Sequence, residues 1–150
     1  MRNKIILLVE DSPDDVELTR MALRSEQTVG HLAVVGDGQE ALDWLFCRGV
    51  HAERNPAEVP SLILLDLQLP RLNGFEVLER IRADSRTKLL PVVVLTSSDE
   101  EQDILRSYER GANSYIRKPV DFDQFTEAVR ELGLYWLVLN QGPPIASRMW

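Results

Sequence analysis

The stretch "LILLDLQLP", Leu62 to Pro70, decides how this chain is read. Four apolar residues lead into a carboxylate, Asp66, and the run stops at a proline four positions later. Working outward, comparable apolar runs occur at Lys4 to Val9, His31 to Val35, Val92 to Leu95 and Ser114 to Ile116. Each run is followed by a segment of helical periodicity. Val16, Leu18, Met21, Ala22 and Leu23 recur broadly at helical spacing behind Asp14, Asp15 and Glu17, acids that suit the positive end of a helix. Asn73-Gly74 precede "FEVLERIRAD", with Phe75, Leu78 and Ile81 three apart, and "DEEQDILRSYERG" closes on Gly111 as a C-cap. Parallel strands need crossovers, and the crossover helices cover both faces of the sheet. The pattern therefore predicts a doubly wound α/β domain with a five-stranded parallel sheet.

Composition narrows the function. With 44% hydrophobic and 27% charged residues over 150 positions, the chain fits one domain, and its uncharged stretches are too short to cross a bilayer. We therefore expect no membrane span. The opening "MRNKIILLVEDS" meets Glu10 and Asp11 where a leader would carry a small-residue cleavage site, so a cytoplasmic location is expected. A net charge of -7 argues against a nucleic-acid surface, which depends on clustered Lys and Arg. The single cysteine, Cys47, beside Trp44, Leu45 and Phe46, is read as half-buried packing.

In open α/β sheets, functional groups collect beyond the carboxyl ends of the strands. The residues closing the runs therefore define a candidate site: Glu10 and Asp11 after the first, Asp66 after the third, Thr96 after the fourth, and Lys118-Pro119 after the fifth. Three carboxylates at one sheet edge repel one another unless a cation sits among them. A hard divalent ion such as magnesium answers this, since it takes carboxylate oxygens, keeps several waters and bridges to phosphoryl oxygens. Lys118 adds a second positive centre and Thr96 a hydroxyl, a set suited to phosphoryl transfer onto a carboxylate.

In combination, "LLVEDSPDD", "LILLDLQLPRLNGFEVLERIR", "PVVVLTSS" and "GANSYIRKPVD" resemble the receiver domain of two-component response regulators, from Lys4 to about Leu132. The resemblance implies a flavodoxin-like fold with strand order 2-1-3-4-5. It implies Asp66 as phosphoacceptor for a sensor histidine kinase, and magnesium held by Asp11, by Glu10 mostly through water, by Asp66 and by the backbone carbonyl of Gln68. Lys118 would pair with the phosphate ahead of a cis peptide to Pro119. Thr96 and Tyr115 would form the switch, and the chain would be no enzyme beyond its own phosphorylation and dephosphorylation.

Two segments depart from the pattern. "LFCRGVHAERNPAEVP" after Trp44 is longer than a usual connection and should lie at the amino ends of the strands, away from the site. After Gly133, Leu134, Tyr135, Trp136, Leu137, Val138 and Leu139 present no polar face. We accordingly divide the chain into a domain at 1–132 and an extension at 133–150 that joins two copies as a homodimer. A long second loop and an aromatic-rich extension also resemble regulators that serve phytochrome-type light-sensing kinases. With no output domain expected after Leu139, the chain reads as a stand-alone regulator.

Plainer readings stand beside these. Asp14 and Asp15 are expected to be a solvated helix start, Ser97 and Ser98 caps for the next helix or lining for the site, and His31 and His51 structural or exposed. Trp44 is expected in the core and Trp150 in a disordered tail. A haloacid-dehalogenase-type phosphatase would need a second Asp where Gln68 stands. A flavin binder would need a phosphate loop where "EDSPDD" repels phosphate, and a P-loop hydrolase would need a Gly-Lys-Ser/Thr run. The remaining rival is a receiver-fold docking module that is never phosphorylated.

Overall fold

The computed structural model describes residues 4–24 and 30–144. Its strands are β1 (Lys4–Val9), β2 (Gly30–Val35), β3 (Leu62–Leu65), β4 (Val92–Thr96) and β5 (Ser114–Arg117). The helices between and after them are α1 (Pro13–Arg24), α2 (Gly38–Leu45), α3 (Gly74–Ala83), α4 (Glu101–Glu109) and α5 (Phe122–Gly133). All neighbouring strands pair in parallel, in the order β2-β1-β3-β4-β5.

Alternation along the strands divides the core into two layers. Ile5, Leu7, Val9, Ile63, Leu65, Val92 and Val94 pack toward Leu42 and Trp44 of α2 and Phe75, Leu78 and Ile81 of α3. Ile6, Leu8, Leu62, Leu64 and Val93 face the other way, toward Leu132, while Leu95 packs with Ala22 of α1 and with Phe125 and Val129 of α5. Trp44 is thus core, as its position implied.

The helices begin where side chains take up free backbone N–H groups. Asp37, Asn73 and Asp121 each accept from the backbone N–H three residues on, capping α2, α3 and α5. Ser98 does comparable work ahead of α4, where its Oγ accepts from Glu100 N and donates to Asp103.

The long connection after α2 carries a short 3-10 turn, Gly49–His51, and returns to the amino end of the sheet, where Ser61 N donates to Ile5 O at 2.7 Å. Arg54 holds it down, with its guanidinium 3.5 Å over the Trp44 ring and a hydrogen bond to the Trp44 carbonyl. Cys47 is half-buried here, His51 meets Glu40 at 3.0 Å and His31 is exposed on β2.

Beyond Gly133 the backbone widens into a π-helical segment, Leu134–Leu139. Its carbonyls are partly taken up by Asn140 N, which donates to Tyr135 O, and by the Lys4 ammonium, which donates to Leu137 O. Leu137 turns into the domain's own core beside Ile6 and Leu8, with Trp136 packed partly against it. Leu134, Tyr135, Val138 and Leu139 stay exposed. The expectation that all six residues await a partner therefore needs correction at Leu137, because sheet residues of the same chain already cover it. Trp150 lies outside the described residues.

One glycine ties the fold to the site. A Cβ on Gly74 would stand 2.4 Å from the Asp66 carbonyl oxygen and 2.7 Å from Leu67 Cα, so the start of α3 presses directly on the loop that follows β3. Gly74→Ala must push that backbone away. It should lower stability by about 1–3 kcal/mol in urea denaturation, and a variant as stable as the parent would show that the loop yields freely.

Candidate functional site

Strand ends bring the site together. In parallel register, β1, β3, β4 and β5 all finish on one edge, which places Glu10, Asp11, Asp66, Thr96 and Lys118 side by side. Glu10 N donates to Val35 O and Asp66 N to Val9 O, so both acidic residues are still fastened to the sheet although the strands have ended. Glu10, Asp66 and Thr96 are buried, whereas Asp11 is exposed.

The Lys118 ammonium occupies the centre. It donates to Glu10 Oε1 at 2.5 Å, Asp15 Oδ2 at 2.7 Å and Asp66 Oδ2 at 3.2 Å. These three bonds use all the hydrogens an ammonium has. Burial alone would lower the Lys118 pKa, but hydrogen bonds to Asp15 and Glu10 and the charge of Asp66 hold it above its ordinary value. Burial pushes the Glu10 carboxyl up to about 7, with Lys118 opposing the rise and the Asp66 charge adding to it.

The metal expectation can be tested on the donor set. Glu10, Asp11 and Asp66 each offer a carboxylate oxygen, and these atoms lie within 4.8 Å of one another. Three hard oxygen donors around one point suit a divalent cation of the magnesium or manganese type. Gln68, expected to contribute its carbonyl, is positioned by its own N–H, which donates to Asp66 Oδ1 at 3.3 Å.

Thr96 and Tyr115 are placed differently from one another. Thr96 Oγ1 is fully buried and has no hydrogen-bond partner among the described residues. Such an orphan hydroxyl is costly unless another state of the molecule satisfies it. Tyr115, half-buried on β5, donates its hydroxyl to the Ser98 carbonyl at 2.7 Å, and burial raises its pKa. It is therefore fastened to the loop that Thr96 opens.

Two expectations change at this site. The Lys118–Pro119 bond is trans, as are all described peptide bonds. Trans is the default for a bond to proline, preferred by about 0.5–1 kcal/mol, and Lys118 N already donates to Thr96 O in this geometry. Asp15, expected to be only a solvated helix start, belongs to the site through Lys118. Its spacing does not set it apart in the sequence, since it is one of two acids in the first turn of α1.

Comparison with known proteins agrees with this arrangement. Residues 6–130 match the response regulator receiver domain. The chain belongs to that family. It is 39% identical over 134 residues to the response regulator Rcp1 of Synechocystis sp., covering 89% of each protein. The Mn2+-bound form of Rcp1 superposes with a TM-score of 0.87 at 36% identity, covering 94% of this chain and 99% of that one. The phosphorylated cyanobacterial phytochrome response regulator RcpA superposes with a TM-score of 0.89 at 38% identity, covering 95% and 100%. The probable methanogenesis regulatory protein FilR2 of Methanothrix harundinacea is 39% identical over 139 residues, covering 93% of this receiver and 87% of its own length.

The raised Glu10 pKa has a measurable consequence. Below about pH 7 its carboxyl holds a proton that a bound cation must displace, so metal binding releases protons there and not above. Magnesium affinity measured by calorimetry should rise from about pH 6 to pH 7 and then level off. Glu10→Gln should flatten the profile; a parent profile that is already flat would contradict this picture of Glu10.

Proposed function

We propose that this receiver takes a phosphoryl group from a phosphohistidine of a sensor kinase onto Asp66, and that the phosphorylated form alters its contacts with other proteins. The observation that carries the reading is the buried junction of Asp66 with Lys118 beside the unpartnered Thr96 hydroxyl. An Asp66 carboxylate oxygen attacks phosphorus, a P–O bond forms, and the P–N bond to the imidazole breaks with its electron pair returning to the ring nitrogen. Glu10, Asp11 and Asp66, with the Gln68 carbonyl, would hold magnesium, which supplies positive charge against the phosphoryl oxygens. The Lys118 ammonium supplies further charge, and the Thr96 hydroxyl gains in the phosphoryl oxygen the acceptor it lacks. Movement of Thr96 then loads the loop to Ser98, where Tyr115 is fastened, so a change of charge at Asp66 reaches the face formed by β5 and α4.

A phytochrome-type kinase is the partner that the similarity to Rcp1 and RcpA favours. The rival reading, a docking module that is never phosphorylated, gives no reason to keep a carboxylate trio, an ammonium and an orphan hydroxyl together. The test is the intact mass of the protein after incubation with magnesium and acetyl phosphate. One added phosphoryl group is expected in the parent, none in Asp66→Asn, and at least tenfold slower addition in Asp11→Asn. Equal labelling of parent and Asp66→Asn would overturn the assignment.

The domain at 1–132 with an extension at 133–150 is proposed as the working division, the extension joining two copies through Leu134, Tyr135, Val138 and Leu139. These four are 44%, 49%, 53% and 61% exposed, a contiguous apolar surface at the end of α5. Tyr135→Ser with Leu139→Ser should give a folded monomer by light scattering whose melting temperature no longer depends on protein concentration, whereas Leu137→Ala should cost about 2–5 kcal/mol of stability. A double variant that stays dimeric would remove the extension from the interface.

A further inference from the structure

The Lys118 ammonium has three hydrogens and spends one of its two shorter bonds on a residue outside the metal-ligand set. Asp15 sits in the first turn of α1 and reaches Lys118 at 2.7 Å, while the bond from Lys118 to Asp66 is longer, 3.2 Å. The pair is sheltered, with the Lys118 side chain 9% and the Asp15 side chain 27% exposed. Asp15 is itself held by the chain around it: its N–H lies 3.4 Å from Ser12 Oγ and its carbonyl accepts from the buried Thr19 hydroxyl at 2.8 Å. The backbone of Asp15 is thus fixed in the helix start, and its carboxylate reaches Lys118 from there.

We propose that Asp15 is a positioning residue that draws Lys118 away from Asp66, so that full engagement of a phosphoryl group by Lys118 competes with the Asp15–Lys118 ion pair. This rests on the reading of Asp66 as phosphoacceptor. A phosphoryl group on Asp66 offers new oxygen acceptors and more negative charge than the carboxylate it replaces. The hydrogen that Lys118 gives to Asp66 over 3.2 Å can turn to a phosphoryl oxygen, but shortening that bond draws the ammonium away from Glu10 and Asp15, which it meets at 2.5 and 2.7 Å. Glu10 is the more buried partner and the closer one, at 2.5 Å with its side chain 3% exposed, whereas Asp15 stands at 2.7 Å with its side chain 27% exposed at the start of α1. The bond to Asp15 is the one that yields. In the resting state this pair lowers the fraction of molecules whose Lys118 is free to engage a phosphoryl group, and the apparent affinity for a phosphoryl mimic falls by that fraction. Its release also leaves the first turn of α1 with an unpaired carboxylate, which carries the phosphorylation signal to that helix as well as to the loop after β4.

The test is the affinity for beryllofluoride at saturating magnesium, read by fluorescence or calorimetry. Asp15→Asn should bind it about fivefold tighter than the parent, and Asp15→Glu, which keeps the pair on a longer arm, should return toward the parent value. A simple loss of negative charge near the site would also favour an anion, so the same substitution is made in Lys118→Ala. There Asp15→Asn should have no effect if it acts through Lys118, and an undiminished gain would overturn the proposal. Equal affinity of Asp15→Asn and the parent would also overturn it, provided Asp66→Asn abolishes binding. If Asp66→Asn binds as the parent does, the phosphoacceptor reading itself has failed. Thermal melts show which variants are folded, and Asp15→Ser carries the same expectation should Asp15→Asn not fold.

Discussion

A single ammonium sets the terms of this structure. Lys118 lies among Glu10, Asp15 and Asp66, and without it three carboxylates would stand close together in a partly dry place. Like charges so arranged would drive protons onto the carboxyls or the chains apart. Removing one partner of such a cluster leaves uncompensated buried charge, which is strongly unfavourable. The cluster is therefore held closed by its own electrostatics, and a group added to Asp66 competes with the other bonds that Lys118 makes.

The fold delivers this arrangement because of where its strands stop. Apolar residues fill β3, β1 after Lys4 and β4 up to Thr96, and the acidic residues of the site begin where the strands leave the two helical layers. The last ladder bonds, from Glu10 N and Asp66 N, fix two carboxyls against the sheet. Gly74 permits α3 to press on the Asp66 loop, and Tyr115 fastens the loop after β4 to β5. These ties join the charged junction to the sheet, to α3 and to the loop after β4. Similarity to a Mn2+-bound Rcp1 and to a phosphorylated RcpA places this geometry among proteins known in both conditions.

Much of this was legible in the sequence. Apolar runs ending on polar residues gave the strands and the site edge, with β2, β4 and β5 each differing by only a residue at one end, and the helix caps lay near Gly- and Asp-containing turns. Three points were not legible, for separate reasons. Asp15 looks like any acid in a first helical turn, and only the tertiary fold brings the start of α1 to Lys118. Leu137 lies in an unbroken apolar run, so a helical wheel cannot tell its inward face, and the π-helical widening decides which residue turns to the core. The Lys118–Pro119 bond carries no sequence signal beyond the proline itself, and it is trans.

The most direct test of the account is a crystal structure of the protein with magnesium and beryllofluoride. Beryllofluoride is expected on Asp66, with Lys118 Nζ and Thr96 Oγ1 both within hydrogen-bond distance of its fluorines. A structure with beryllofluoride on Asp66 but Lys118 still bonded to all three carboxylates, or Thr96 still without a partner, would contradict it.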